Sequence, residues 1–499
     1  MLMRCGRTGI AGKGVAALVA AFGALLLAGC AGQLPAIAPQ PLVQTAAPPP
    51  QPDMTPAELQ EHQRILASYG GVYTDARLQA MVEQVAERLV AASNRPDLHY
   101  KVTILNSDTV NAFALPTGQL YVTRGLISLA NDQSELASVI GHEMGHVIAH
   151  HAELREKKIR DEELNEKVFT NLVSDPQASA LALARSKLSL ASFSQQQELD
   201  ADAIGIGMAA RAGYDPYGAV RFLASLERSS ELKPRPNGSI NPAAPDFLSS
   251  HPATPERIAR AESIARQYRP PADVSPQQSA QAKDAYLAEV NGMVFGEDPS
   301  EGFVRGRRFL HPRLGFTFTA PEGFILDNTA QAVLGVKRGG GAALRLDVVH
   351  VPAEQTLAAY LNSGWIENID PKSVRDVSIN GFDAATATAK GDDWDFRLYV
   401  IRFGSDVYRF IFAAKNFSPQ TDRVFRASVG TFRRMTLAEI QHARPLHVKV
   451  VSVGPHDTVE KLASRMAVPD RQAEQFRVLN GLRPGDMVRP GSEVKIVVE

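Results

Sequence analysis

"ELASVIGHEMGHVIAHH", residues 135–151, decides how the first half of this 499-residue chain is read. Leu136, Val139, Ile140, Val147 and Ile148 recur at steps of three and four, the period of a helix with one apolar stripe, and Asn131 or Asp132 offers an N-cap. On such a helix His142 and His146 stand on one face with Cβ atoms about 6 Å apart, close enough for both imidazoles to reach one ion at about 2.0–2.1 Å. The spacing is H-E-x-x-H, the helical zinc signature. Glu143, between the two ligands, is placed to hold a water as general base and to pass its proton to a leaving amine. His150 extends the same row, but eight residues of helix advance about 12 Å, beyond the span of a single tetrahedral ion. His150 and His151 are therefore expected to be solvated residues near a helix C-terminus, where positive charge is favoured.

A third ligand must come from elsewhere, and "QQQELDADAIGIGMAARAGYDP" (residues 195–216) carries two candidates. Glu198 and Asp202 are again four apart in a helical pattern, so one carboxylate can bind the metal while the other accepts a ring N–H from a ligating histidine and fixes its tautomer. Further on, "SSHPATPERI" (249–258) holds His251 before a proline. Its backbone is thereby pushed toward extended geometry, on a loop ahead of a helix that begins near Thr254.

"NAFALPTGQLYVTRGLI" (111–127), "GHEMGHVIAHH" (141–151), "QELDADAIGIGMAARAGYDP" (197–216) and "SSHPATPERIA" (249–259), taken in this order, resemble the HtpX and Oma group of gluzincin metallopeptidases, metallopeptidase family 48, in its soluble periplasmic branch. The likeness covers about residues 57–268. It implies one zinc ion per chain held by His142, His146 and Glu198, Glu143 as the catalytic glutamate, and Asp202 behind a ligand. It also implies that Asn111, Ala112, Phe113, Ala114 and Leu115 form a sheet edge beside the cleft, on which an extended substrate lies as an added strand. The residues agree locally, because a short apolar run ended by Pro116 and Gly118 suits an edge strand. For His251 the resemblance implies the rim of the site, as fourth metal ligand or as hydrogen-bond donor to a tetrahedral intermediate; a loop histidine that caps local structure is the alternative.

The flanks place this chemistry. Residues 1–29 combine Arg4, Arg7 and Lys13 with a short apolar core and small residues before Cys30, an export signal too short for a comfortable membrane span. "LAGC" (27–30) is similar to the bacterial lipobox, which implies lipid attachment at Cys30, and Ala31 in the sorting position implies the outer membrane. Only two cysteines exist and Cys5 leaves with the signal, so the mature chain has no intramolecular disulfide. Residues 30–56, rich in proline and alanine, read as a tether. A formal net charge of −1 argues against nucleic acid as a partner.

Beyond the peptidase-like region, residues 269–300 turn to Gln, Ala, Ser and Pro and read as a linker. Residues 301–440 carry strand-length runs such as "ALRLDVVHV" and "VYRFIFAA", with a Gly339-Gly340-Gly341 turn and a helix around Leu357, so an α+β domain with an antiparallel sheet and helices on one side is expected. Residues 445–499 read strand, helix, helix, strand and resemble a lysin motif (LysM), which implies affinity for N-acetylglucosamine-containing glycan such as peptidoglycan, although His456 replaces the motif's usual glycine. The expected fold is thus multidomain: a mainly α, zincin-like protease domain with a small edge-accessible sheet, the α+β domain, and a small βααβ domain. The expected function is zinc-dependent hydrolysis of unfolded or misassembled envelope proteins in the periplasm. The alternatives are a chaperone-like or scaffolding lipoprotein with little proteolysis, and cell-wall hydrolysis.

Overall fold

The computed structural model of the protein describes residues 54–155, 157, 193–232, 247–268, 276–468 and 470–499. The export signal, Cys30 and nearly all of the tether lie outside the described residues. Among the described residues no helix is long and apolar enough to cross a membrane. They fall into two compact units, residues 54–302 with 437–499, and residues 303–436.

The first unit opens with α1 (Pro56–Ser68), started by a Thr55–Glu58 capping box with proline at its first position, and α2 (Ala76–Ala91), capped by Asp75. A three-stranded sheet follows, β1 (Lys101–Leu105), β2 (Ala112–Ala114) and β3 (Gln119–Thr123), in the order β1-β3-β2, so β2 is an edge. Strand alternation splits β2 between two environments: Ala112 and Ala114 join the core beneath the H-E-x-x-H helix, whereas Phe113 and Leu115 pack with Ile65, Leu66 and Tyr69 at the end of α1. The short helix α3 (Arg124–Leu129) leads into α4 (Gln133–Ile148), whose N-cap is Asp132, its Oδ1 accepting the Glu135 N–H at 2.9 Å. Then come α5 (Gln195–Arg211), α6 (Gly218–Leu232), α7 (Phe247–Ser250) and α8 (Pro255–Ala265).

Helices α4 and α5 approach closely because glycines face each other. A Cβ on Gly205 would stand 2.6 Å from the His142 nitrogen, one on Gly145 2.9 Å from the Ala201 oxygen, and one on Gly141 3.0 Å from the Gly205 oxygen. Any larger side chain there would separate the two backbones and carry the carboxylates of α5 away from the histidines of α4.

Residues 269–300, read from composition as a linker, are not a simple spacer. They contain α9 (Pro276–Val290), whose Tyr286, Leu287 and Val290 are buried in the core shared by α2, α4 and the sheet, and Tyr286 donates to the Ile127 carbonyl at 2.7 Å. Three apolar residues in the last turn of an Ala/Gln-rich helix are enough to dock it, though too few to give a clear amphipathic period. Strand β4 (Val294–Phe295) follows.

The second unit holds β5 (Phe303–Arg305), β6 (Arg308–His311), β7 (Phe316–Thr319), β8 (Phe324–Asn328), β9 (Val333–Lys337), β10 (Ala342–Val349), α10 (Leu357–Leu361), β11 (Arg375–Ile379), β12 (Phe382–Lys390), β13 (Asp395–Phe403), β14 (Asp406–Ala414), α11 (Pro419–Val429) and β15 (Arg433–Arg434). A seven-stranded antiparallel sheet runs β11-β12-β13-β14-β10-β9-β8, and a four-stranded sheet runs β15-β7-β6-β5. The expectation of helices on one side is corrected. Leu357, Tyr360 and Leu361 of α10 cover one face with Ala385, Leu398 and Val400, while Phe425 and Val429 of α11 join Phe316 and Phe318 of the small sheet over the opposite face with Tyr399, Phe410 and Phe412. The long strands alternate two apolar sets, so both faces need a cover. Within the unit Asp347 is wholly buried: Oδ1 accepts from Arg409 Nε at 2.7 Å, and Oδ2 from Arg409 Nη2 at 2.9 Å and Arg345 Nε at 2.7 Å. Arg409 also donates to the Tyr360 hydroxyl at 3.0 Å and lies 4.6 Å from the Trp365 ring centre.

The chain then returns to the first unit with β16 (Leu446–Ser452), α12 (Val459–Ala463), α13 (Gln472–Leu479) and β17 (Glu493–Val498). Strand β16 pairs antiparallel with β17 and with β4. Lys495 on β17 is fully buried, its Nζ donating to the Ser128 and Ala130 carbonyls at 2.6 and 2.7 Å, at the C-terminal end of α3. Burial lowers the Lys495 ammonium and raises the Glu135 carboxyl, and each charge opposes the shift of the other.

Candidate metal centre

The site is assembled from three segments held at the α4–α5 contact. His142 and His146 come from the third and fourth turns of α4, Glu198 from the first turn of α5 and Asp202 one turn later, and His251 follows α7, its N–H bonded to the Phe247 carbonyl at 2.8 Å. His142, His146, Glu198 and His251 are all buried and each offers one ligand-type atom, these atoms lying within 4.8 Å of one another. His146 Nε2 is 3.1 Å from His142 Nε2, and His251 Nδ1 is 3.2 Å from His142 Nε2 and 2.9 Å from Glu198 Oε1. Glu198 Oε2 and Oε1 stand 3.6 and 3.5 Å from His142 Nε2 and His146 Nε2.

Behind this cluster Asp202 Oδ1 accepts from His142 Nδ1 at 2.8 Å, which turns the His142 Nε2 lone pair toward the centre. Sequence reasoning missed the next layer. Arg257, on α8 and almost wholly buried, donates through Nε and Nη2 to both oxygens of Asp202 at 2.9 and 2.8 Å, and its Nη1 lies 2.7 Å from Glu198 Oε2. A signal existed: positions 257, 261, 264 and 265 form the buried stripe of α8, and an arginine there needs buried carboxylates. Phe193 also escaped notice; its ring centre lies 4.0 Å from that of His146.

The expectation for the paired histidines is half corrected. His150 is exposed, but His151 is buried, with Nδ1 3.0 Å from His146 Nδ1. The helix stops at Ile148, and His150 takes a φ of 55°, so the following residue folds back beneath the helix end instead of continuing the exposed row.

Glu143 sits beside the cluster, Oε1 3.7 Å from His251 Nε2. Burial pushes its carboxyl up to about 8, with His142 and the Ala114 amide opposing and Glu198 adding to the rise. Burial drives His146 down to about 3 against the pull of Glu198. Glu198 itself is held well below the carboxylate range: burial raises it, but His146, His251 and His142 outweigh that. Burial likewise opposes Asp202, and His142 and Arg257 win. The donor set suits a cation. Three imidazoles and a carboxylate converge, Glu143 Oε1 is buried with no hydrogen-bond partner, and Glu198 Oε2 accepts no aligned hydrogen bond despite the nearby guanidinium. A cleft of about 300 Å³ opens beside it, walled by all five residues from Asn111 to Leu115, by Glu143 and by Ile65 and Tyr69 of the α1 segment.

Residues 75–265 match the family model described as Peptidase family M48. They form an M48 peptidase domain. Peptidases of this family use zinc, and all four clustered residues of the centre fall inside the M48 domain. The domain is similar to the beta-barrel assembly-enhancing protease of Escherichia coli strain K12, 30% identical over 236 residues that cover 45% of each chain. It is also similar to mitochondrial metalloendopeptidase OMA1 of Arabidopsis thaliana, 35% identical over 80 residues and 16% of each chain, and to that of Schizosaccharomyces pombe, 34% identical over 71 residues. The chain spans less than half the length of these curated relatives.

Proposed function

We propose that the protein is a zinc-dependent endopeptidase of the bacterial cell envelope that cleaves unfolded or misassembled envelope proteins. The observation that carries this reading is the convergence of His142, His146, Glu198 and His251 beside the buried Glu143, whose Oε1 has no hydrogen-bond partner. His142, His146 and Glu198 hold the ion, Asp202 and Arg257 hold His142 and Glu198, and His251 is a fourth ligand or a donor to the reacting carbonyl. A zinc ion there supplies Lewis acidity. The peptide lies extended along β2 as an added strand, which presents its scissile carbonyl beside Glu143. A cation at the centre would favour the ionised form of Glu143 against its burial, and that carboxylate would take a proton from the attacking water and deliver it to the leaving amine nitrogen. Strand addition requires a segment free of its own fold, which favours unfolded substrates, and the name of the Escherichia coli relative, an assembly-enhancing protease, supports the same class.

The rest of the reading rests on the sequence: by resemblance, a lipid on Cys30 anchors the chain at the outer membrane and residues 445–499, with their βααβ order, act as a LysM-like binder of peptidoglycan; by composition and strand pattern, residues 30–56 act as tether and residues 301–440 form a domain of their own. The test is digestion of a denatured casein-type substrate, with and without a chelator, by the full chain and by Glu143→Gln. We expect one zinc per chain in both proteins, cleavage abolished by the chelator and restored by zinc, a loss of about 10³-fold in Glu143→Gln, and no release of fragments from purified peptidoglycan. Undiminished cleavage by Glu143→Gln removes Glu143 from the chemistry, and a zinc-loaded wild type that cleaves nothing refutes the enzyme and leaves the scaffold.

A further inference from the structure

The sharpest departure from the expected site is at its far side, where the chain leaves α4. His150 occupies the left-handed region at φ 55°, which glycine adopts without steric cost and histidine does not. Such strain persists where the surroundings impose it, and it concentrates at functional positions. Its effect here is specific. His150 stays in solvent, while His151 turns inward and brings Nδ1 to 3.0 Å from Nδ1 of His146. The two rings cross at 73° with centres 4.9 Å apart, and Gln197, one residue before Glu198, donates to the His151 carbonyl at 3.5 Å.

Two nitrogens at hydrogen-bond distance require one proton between them: one donates and the other accepts. His146 presents Nε2 to His142 and Glu198, so a neutral His146 that offers a lone pair there must carry its proton on Nδ1. His151 must then accept through Nδ1 and keep its own proton on Nε2. The same logic operates at His142, where the acceptor is Asp202. We propose that His151 is the positioning residue for His146, its Nδ1 lone pair accepting the His146 Nδ1–H and thereby fixing the tautomer and ring orientation with which His146 faces the metal centre. The proposal rests on the metal reading above and extends it to a residue that touches neither substrate nor ion.

The test uses the full chain and three forms: wild type, His151→Phe, which keeps a ring against Phe193 but has no acceptor, and His151→Asn, whose amide oxygen can stand where Nδ1 stood. Zinc affinity is read by competition with a chromophoric chelator. We expect His151→Phe to bind zinc about 10–100-fold more weakly and His151→Asn to recover most of that loss. Equal affinity in wild type and His151→Phe overturns the proposal, as does an equal loss in both variants, which would mark a packing role only. Long-range nitrogen-15 NMR on the zinc-loaded wild type provides a check that needs no variant to fold: His146 protonated on Nδ1 and His151 on Nε2 is the expected pattern, and the reverse pattern refutes it. A wild-type chain that binds no zinc sinks the metal reading and this inference with it. Tight wild-type binding that is indifferent to His151 sinks only the inference.

Discussion

Asp347 and Glu198 are both carboxylates buried against arginine, in different units of the chain, and they differ in what is left over once their partners are counted. Around Asp347 every strong group is matched: both oxygens accept from guanidinium nitrogens, and the Arg409 fork also reaches Tyr360. Around Glu198 one oxygen lacks an aligned donor, the neighbouring Glu143 Oε1 has none, and three imidazole nitrogens crowd toward the same point. A closed network of this kind holds a fold, whereas one with buried lone pairs aimed at a common centre is built to receive something. The two clusters therefore make opposite predictions when one carboxylate is neutralised.

The largest expected effect is at the open cluster. Glu198→Gln removes the anionic member of the donor set, so we expect stoichiometric zinc to be lost and cleavage to fall by about 10³-fold or more, with the chain still folded by circular dichroism. Retention of tight zinc would break the comparison by removing Glu198 from the centre. The next effect is on folding. Asp347→Asn strands a buried guanidinium and is expected to cost about 3–5 kcal/mol in denaturant unfolding of the 303–436 unit. Burial alone would raise Asp347, but Arg409 and Arg345 hold it below the carboxylate range. A depressed folded pKa contributes stability that is present above the unfolded value near 3.9 and lost as pH falls through the folded one, so the gap between wild type and variant should close in acid. A gap that is constant with pH would show that the charge is not what stabilises the unit. The smallest effect sharpens the open cluster. Arg257→Met releases Asp202 and Glu198 from their guanidinium, and zinc affinity by chelator competition should weaken about 10–100-fold. No change would reduce Arg257 to packing.

What was legible in the sequence was what repeats at helical spacing. His142 with His146, and Glu198 with Asp202, are pairs set by one turn of helix, and local periodicity finds them. Strand β2 was expected from the family resemblance, and the short apolar run ended by Pro116 and Gly118 agreed with it. What escaped depends on contacts between distant segments or on a single unusual dihedral. Arg257 meets Asp202 across 55 residues of chain, and the glycines at 141, 145 and 205 matter only once two helices touch. His151 was misplaced because a histidine, unlike a glycine, gives no warning that the residue before it will take a left-handed turn. Helix α9 was taken for a spacer because its docking residues are confined to its last turn.

The Lys495 ammonium, seated on the carbonyls of Ser128 and Ala130, makes the last strand of the chain a bolt through the peptidase body. A fragment trimmed at residue 268, where the catalytic segments end, would lose that bolt together with the buried face of α9, leaving bare carbonyls and open apolar surface where a finished molecule has neither. Expressed alone, such a fragment should clump, because the peptidase is completed only when residues as distant in the chain as Lys495 have joined it.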